Sequence, residues 1–363
     1  MSFPSLQIHA GPAALQIIGE RGLSADDVRL IAGAAGGPKG LILGPLDRFV
    51  FGQWLPPSRQ QVHLLGASIG AWRMATAAMQ DPVRRLLEFE QAYIHQHYEP
   101  EPGRKRPSAA LVSRLFGHNL REFFGDEVHG VLHHPRYRVH MVTTRGRHLL
   151  RREGRLRTPA GYLGLALSNA LSRNALNAWV ERVVFSAPGE PLPMDLADLS
   201  HRVCPLSEHN FHAALQASCS IPFVLQAVHD IAGAPAGAYW DGGITDYHLH
   251  WRYRTLKPAG GLVLYPHFQR QLVPGWLDKP WKRRHRATGS LDNVVVLSPH
   301  PDWVKTLPNA KLPDRKDFDH YGHDAAARAR DWSRAVQESQ RLADEFAQWL
   351  QRGSPVREVL PLE

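Results

Sequence analysis

The chain has 363 residues, 43% of them hydrophobic and 21% charged, with a formal net charge of +9. That composition allows a sizeable buried core and excludes wholesale disorder, while only two cysteines, Cys204 and Cys219, exclude a disulfide framework or a cysteine-rich zinc site. The positive excess favours an anionic partner, a phosphate-bearing lipid surface or nucleic acid, without naming one.

No Lys or Arg precedes Arg21, residues 1–20 lack a long apolar run, and no window approaches the roughly 20 apolar residues of a membrane span. The expectation is a soluble, cytoplasmic chain. In chain order, residues 1–27 form an N-terminal segment, and Val28–Ala32 reads as a short buried strand closed by the loop Gly33–Gly40. Leu41–Phe51 has a helical apolar face, with Pro45 expected to kink the helix or delay its regular part. After the break at Pro56-Pro57-Ser58 come a strand at Val62–Leu65 and a helix from Ile69 to Met79, stopped by Asp81-Pro82. This alternation predicts right-handed βαβ packing and a parallel sheet. Residues 99–108 read as an exposed linker or loop. Further strands are expected at Tyr137–Val142, Arg182–Phe185, Gly261–Tyr265 and Asn293–Leu297, and a helix over Leu163–Ala178. A long helix is expected from Asp324 to Arg352, its stripe of Trp332, Ala335, Val336, Leu342, Ala343, Phe346, Trp349 and Leu350 covering the core rather than forming a dimer seam.

Gly66-Ala67-Ser68-Ile69-Gly70 lies between the second strand and its helix. It matches a nucleophile elbow, in which Gly66 and Gly70 let strand and helix approach and Ser68 is presented at the helix N-terminus. The competing reading is a turn of small residues that happens to hold a serine. A nucleophile needs an anion cradle and a base.

The first loop, Ala35-Gly36-Gly37-Pro38-Lys39-Gly40, also follows a strand and opens a helix. A dinucleotide fingerprint would require an acidic residue at the end of the second strand, but residues 54–67 contain no Asp or Glu. The spacing of a P-loop is absent as well. Backbone N–H groups of Gly36 and Gly37 turned toward a developing oxyanion, with Lys39 adding charge or orienting the loop, is the reading that pairs with Ser68.

The 21 histidines leave none conspicuous as a base. Asp241 stands out, because Ala238-Tyr239-Trp240 reads as a short strand and Gly242-Gly243 as a sharp turn that places the carboxylate. Asp246, His248 and His250 follow closely and read as exposed polar residues before they read as neighbours of the base.

The ordered set of A-G-G-P-K-G, G-A-S-I-G, A-S-C-S-I-P (Ala217–Pro222) and D-G-G resembles the patatin-like phospholipase family over roughly residues 28–250. The resemblance implies a three-layer α/β/α fold with a mainly parallel central sheet, here with a catalytic domain at 28–255 and a helical extension at 256–363. It implies Ser68 as nucleophile, Asp241 as general base without histidine, and Gly36 and Gly37 as oxyanion-hole amides. Lys39 stands where arginine is usual and Ala35 where the first glycine is usual. Neither a metal nor a cofactor is implied, and the substrate is a lipid or phospholipid ester.

Two basic stretches, Arg145–Arg157 and Lys279–Arg286 with Trp276 and Trp281, suit peripheral contact with an anionic membrane surface. No recognised module supports nucleic-acid binding. The alternatives are a soluble carboxylesterase or acyl thioesterase on the same dyad, and a non-catalytic binder of anionic lipid.

Overall fold

The computed structural model describes residues 3–196 and 198–363. Eleven strands among the described residues form one mixed sheet. They are β1 (Leu6–Ala10), β2 (Val28–Gly33), β3 (Val62–Ala67), β4 (Tyr137–Gly146), β5 (Val180–Ser186), β6 (His201–Pro205), β7 (Val228–His229), β8 (Ala238–Asp241), β9 (Leu262–Pro266), β10 (Val294–Pro299) and β11 (Val359–Pro361). The main path runs β11-β1-β10-β9-β2-β3-β4-β5-β6, with β8 also pairing β4 and β7 pairing β8. From β10 through β9, β2 and β3 to β4 every pairing is parallel, and antiparallel pairs join β1 to β10 and β5 and β8 to β4. Every residue of β3, β5, β9 and β10 is buried. A strand buried on both faces needs cover on both sides, so the fold is α/β and consistent with three layers.

The apolar runs at 28–32 and 62–65 become β2 and β3, and the expected strands near 182, 261 and 293 become β5, β9 and β10. Four expectations need correction. Residues 256–363 are not an extension laid on a finished layer: β9 and β10 sit inside the sheet beside β2, and β1 from the N-terminal segment pairs with β10. The helix expected over Leu41–Phe51 is a 3-10 turn at Gly37–Leu43, an α-helix at Gly44–Phe49 with Pro45 in its first turn, and a π-turn at Val50–Trp54. Pro45 does delay the regular part, since its missing N–H costs nothing only at a helix start. The helix expected over Leu163–Ala178 is instead Arg157–Leu171 followed by a 3-10 segment at Arg173–Ala178.

The long C-terminal helix is two, Ala325–Glu338 and Gln340–Gln351. At Ser339 the N–H is shared between the Ala335 and Val336 carbonyls and the hydroxyl donates to Val336 O at 2.6 Å, which tightens the turn and redirects the chain. Both pieces still bury their stripe, Trp332 and Val336 packing on Leu41 and Ile94 and Phe346 joining the main core. The expected loop at 99–108 carries no regular helix or strand before Ala109. No described helix is long and apolar enough to cross a membrane.

Candidate active site

β4 is longer than its apolar run, and the extra length builds the site. β3 lies parallel along one edge of β4 and ends with Ala67 opposite Val142. β8 runs antiparallel along the same edge, because β5 occupies the other, and ends with Asp241 opposite Thr143. The C-terminal ends of β3 and β8 therefore meet, and the next atoms to meet are the side chains of Ser68 and Asp241. Ser68 Oγ donates to Asp241 Oδ2 at 2.7 Å, and both residues are buried.

Ser68 has φ 56° and ψ −130°, a conformation that ordinary residues enter at a cost of roughly 1–3 kcal/mol and that persists only when neighbours hold it. Ser218 is one such neighbour. Its Oγ accepts the Ser68 N–H at 2.9 Å and donates to Val142 O at 2.7 Å. The same segment holds the aspartate, since Gly242 N–H donates to Ser218 O and Asp241 N–H to Ser220 O. A second restraint is close packing: a Cβ on Gly70 would lie 1.8 Å from the Gly33 carbonyl oxygen, so only glycine lets the Ile69–Ala77 helix start against β2. Gly66 is the last residue but one of β3, and Gly40 lies in the 3-10 turn over Ile69. Arg73, on the helix that follows Ser68, makes a buried two-pronged bond to Asp47 at 2.8 Å and ties that helix to Gly44–Phe49.

Asp241 Oδ1 accepts the Gly243 N–H at 2.7 Å, which fixes the carboxylate plane and leaves Oδ2 for Ser68. Burial raises the Asp241 pKa above its ordinary value, while the charge of Arg315 and the bonds from Ser68 and Gly243 act against that rise. The carboxylate is thus a stronger base than a solvated one. No histidine ring hydrogen-bonds to Ser68 or Asp241 among the described residues. His248 is buried, its Nδ1 accepting from the Val273 N–H at 2.9 Å, and His250 is half-buried with Nδ1 near Leu272 O. Asp246, expected at the surface, is wholly buried against Arg182. These three are structural.

The glycine loop faces the dyad. Gly36 lines a cavity of about 190 Å³ together with Ser68, Asp241 and Lys39, and Gly37, at φ 58°, lines a second cavity that also reaches Ser68. Neither the Gly36 nor the Gly37 N–H donates to a protein acceptor among the described residues, so both remain available to a ligand oxygen. Ala35 does not adopt a positive φ, and its N–H donates to Tyr247 O. Lys39 places Nζ 5.4 Å from the Phe268 ring centroid, and desolvation lowers its pKa, with Asp314 opposing and Lys311 adding to the shift.

Arg315 and Lys279 also line the smaller cavity, outside the residues that the sequence motifs single out. Arg315 lies over the loop, its Nε 3.2 Å from where a Cβ on Gly37 would sit, and it lines both cavities. Lys279 packs its ammonium 4.0 Å from the Tyr247 ring centroid; loss of water around it, then Lys39 and Arg315, brings its pKa down to about 8. Sequence places Lys279 only within the basic stretch Lys279–Arg286 and gives no signal for Arg315.

The second cavity is about 570 Å³ and largely apolar, with Ile69, Trp72, Val112, Phe116 and Leu225 in its wall. The 99–108 loop contributes Pro100, Lys105, Arg106 and Pro107 to it. The two basic stretches are partly consumed internally: Arg145 and Arg147 pair with Glu181, Arg152 with Asp230, and Arg284 with Asp278. The chain matches no family model and no curated protein, so the geometry of the dyad is the ground on which a function is assigned.

Proposed function

We propose that the chain is a serine acyl hydrolase that cleaves carboxylic esters of lipids through Ser68 and Asp241. The observation that carries the reading is the 2.7 Å hydrogen bond between a strained, buried serine and a buried aspartate, beside two unpaired backbone N–H groups. Asp241 Oδ2 takes the hydroxyl proton as Ser68 Oγ attacks the ester carbonyl. The carbonyl oxygen becomes an oxyanion held by the Gly36 and Gly37 N–H groups. Collapse expels the alcohol, which leaves with the proton from Asp241, and an acyl-Ser68 ester remains. Asp241 then draws a proton from water, hydroxide adds to the acyl carbon, and the fatty acid departs as Ser68 regains its proton.

The apolar cavity that opens on Ser68 supports a long acyl chain over a small one. Turnover of p-nitrophenyl esters of increasing acyl length, presented in mixed micelles, tests this. The second-order rate constant is expected to rise by up to about fourfold per added methylene until the cavity is filled, then to level off. A maximum at the acetyl ester would remove the lipid reading and leave a short-chain carboxylesterase on the same dyad.

A further inference from the structure

The Arg157–Leu171 helix turns an entirely apolar face to solvent. Its exposed positions are Arg157 at the start and then Pro159, Ala160, Leu163, Leu167, Ala170 and Leu171. Leu163, Leu167 and Leu171 recur every fourth residue at 62%, 62% and 87% exposure, and Leu156 just before the helix is 84% exposed. A surface helix ordinarily sets polar residues outward, and about four turns without one is a contiguous apolar patch rather than scattered leucines. The inward face is well anchored: Leu165 joins Leu150, Trp240 and Ile244 in a buried cluster, and Trp179 Nε1–H donates to Ser168 Oγ at 2.8 Å. The outward face is therefore not a helix waiting to repack.

Position and charge identify what covers it. Tyr162 on this helix packs edge-on against Trp240, the residue before Asp241, and against Phe223, which with Val224 lies in the mouth of the apolar cavity. Phe223 and Val224 are themselves exposed, so the leucine face sits next to an apolar rim of the cavity. Exposed Arg151, Arg155 and Arg157 border the helix start, and none of them has a carboxylate partner among the described residues. Near its other end Arg284 donates to Asn169 O at 2.9 Å and so brings in a turn with exposed Lys282, Arg283 and Arg286, likewise without acidic partners among the described residues. An apolar strip bordered by cations without acidic partners among the described residues matches the boundary between acyl chains and anionic headgroups.

We propose that this face is the membrane-seating surface of the protein: the leucines of Arg157–Leu171 enter the outer acyl layer of an anionic bilayer and hold the cavity mouth at Phe223 against it. The proposal rests on the lipid-ester reading for its purpose, but binding is measurable without turnover. The test uses the full chain carrying Ser68→Ala, co-sedimented with vesicles of equimolar phosphatidylglycerol and phosphatidylcholine and with vesicles of phosphatidylcholine alone.

The expected result is binding to the anionic vesicles that weakens in the neutral ones, and a loss of about tenfold or more when Leu163→Ser and Leu167→Ser are added together. Leu87→Ser, at an exposed leucine on a different helix (Pro82–Ile94), should leave binding unchanged, and a preserved thermal transition shows that the double variant is folded. Equal binding by the folded double variant overturns the proposal, as does absence of binding by the parent. A parent that is dimeric and becomes monomeric on the double substitution, with no vesicle binding, assigns the face to a second copy instead. Vesicle binding without ester turnover by the Ser68 protein would sink the hydrolase reading and leave the seating surface intact.

Discussion

Asp241→Asn is expected to lower kcat for an acyl ester by on the order of 10⁴-fold, with little change in KM. Asparagine keeps the shape and can still accept the Gly243 N–H through its carbonyl oxygen, so the turn that carries it survives. What it loses is the lone pair that takes the Ser68 proton, and the amide now presents a donor to a hydroxyl that needs an acceptor. The parent protein should also show an acid limb. Asp241 must be ionised to act, burial raises its pKa above the ordinary 3.8, and so kcat should fall as pH drops through a midpoint above that value. Arg315→Gln removes the cation that opposes the rise and should move the midpoint to higher pH. A midpoint unmoved by Arg315→Gln would mean that another group governs the limb.

Arg182→Met is expected to destabilise the fold by about 3–5 kcal/mol in urea unfolding, the cost of leaving buried carboxylates without their cation. Arg182 is fully buried on β5 and binds Asp246 through Nε and Nη2 at 2.8 and 2.5 Å. It also binds Asp198 at 2.6 and 3.0 Å and stacks 4.6 Å from the Trp251 ring centroid. Burial pushes the Asp198 carboxyl upward, but Arg182 outweighs it and holds the group below its usual value. Asp246 closes the turn Gly243–Asp246 that follows the dyad aspartate, so this clamp also sets where Asp241 stands. Replacing Asp246 and Asp198 by Asn together with Arg182→Met should recover part of the loss, because the uncompensated charges go with the cation. A loss below about 1 kcal/mol for Arg182→Met would show that water reaches these carboxylates.

The first βαβ unit was legible because the apolar runs at 28–32 and 62–65 each give way to a glycine-containing turn, Gly33–Gly40 and Gly66–Gly70, that opens a helical pattern. Ser68 and Asp241 were legible for the same reason, each lying between a short strand and a glycine. Their meeting was not, since it depends on Thr143, Thr144 and Arg145 continuing β4 past its apolar run to carry β8. Those residues have no alternation to announce a strand, and they pair only because β5 and β8 flank them. β1, β6, β7 and β11 were missed as short segments toward the margins of the sheet, β6 with four of its five residues exposed. The place of β9 and β10 beside β2 is set by long-range pairing, which local periodicity does not encode. Arg315 and Lys279 approach the dyad from chain segments without a motif, and only the folded arrangement brings their charge to bear.

The central claim is a proton relay between one alcohol and one carboxylate, and site-mapped covalent labelling reads it directly. The protein is treated with a fluorophosphonate and the modified peptide identified by mass spectrometry, in the parent and in Asp241→Asn. Phosphonylation confined to Ser68 in the parent, and slowed by orders of magnitude in the variant, is the predicted result. Modification of a different residue, or equal labelling rates in the two proteins, would contradict it.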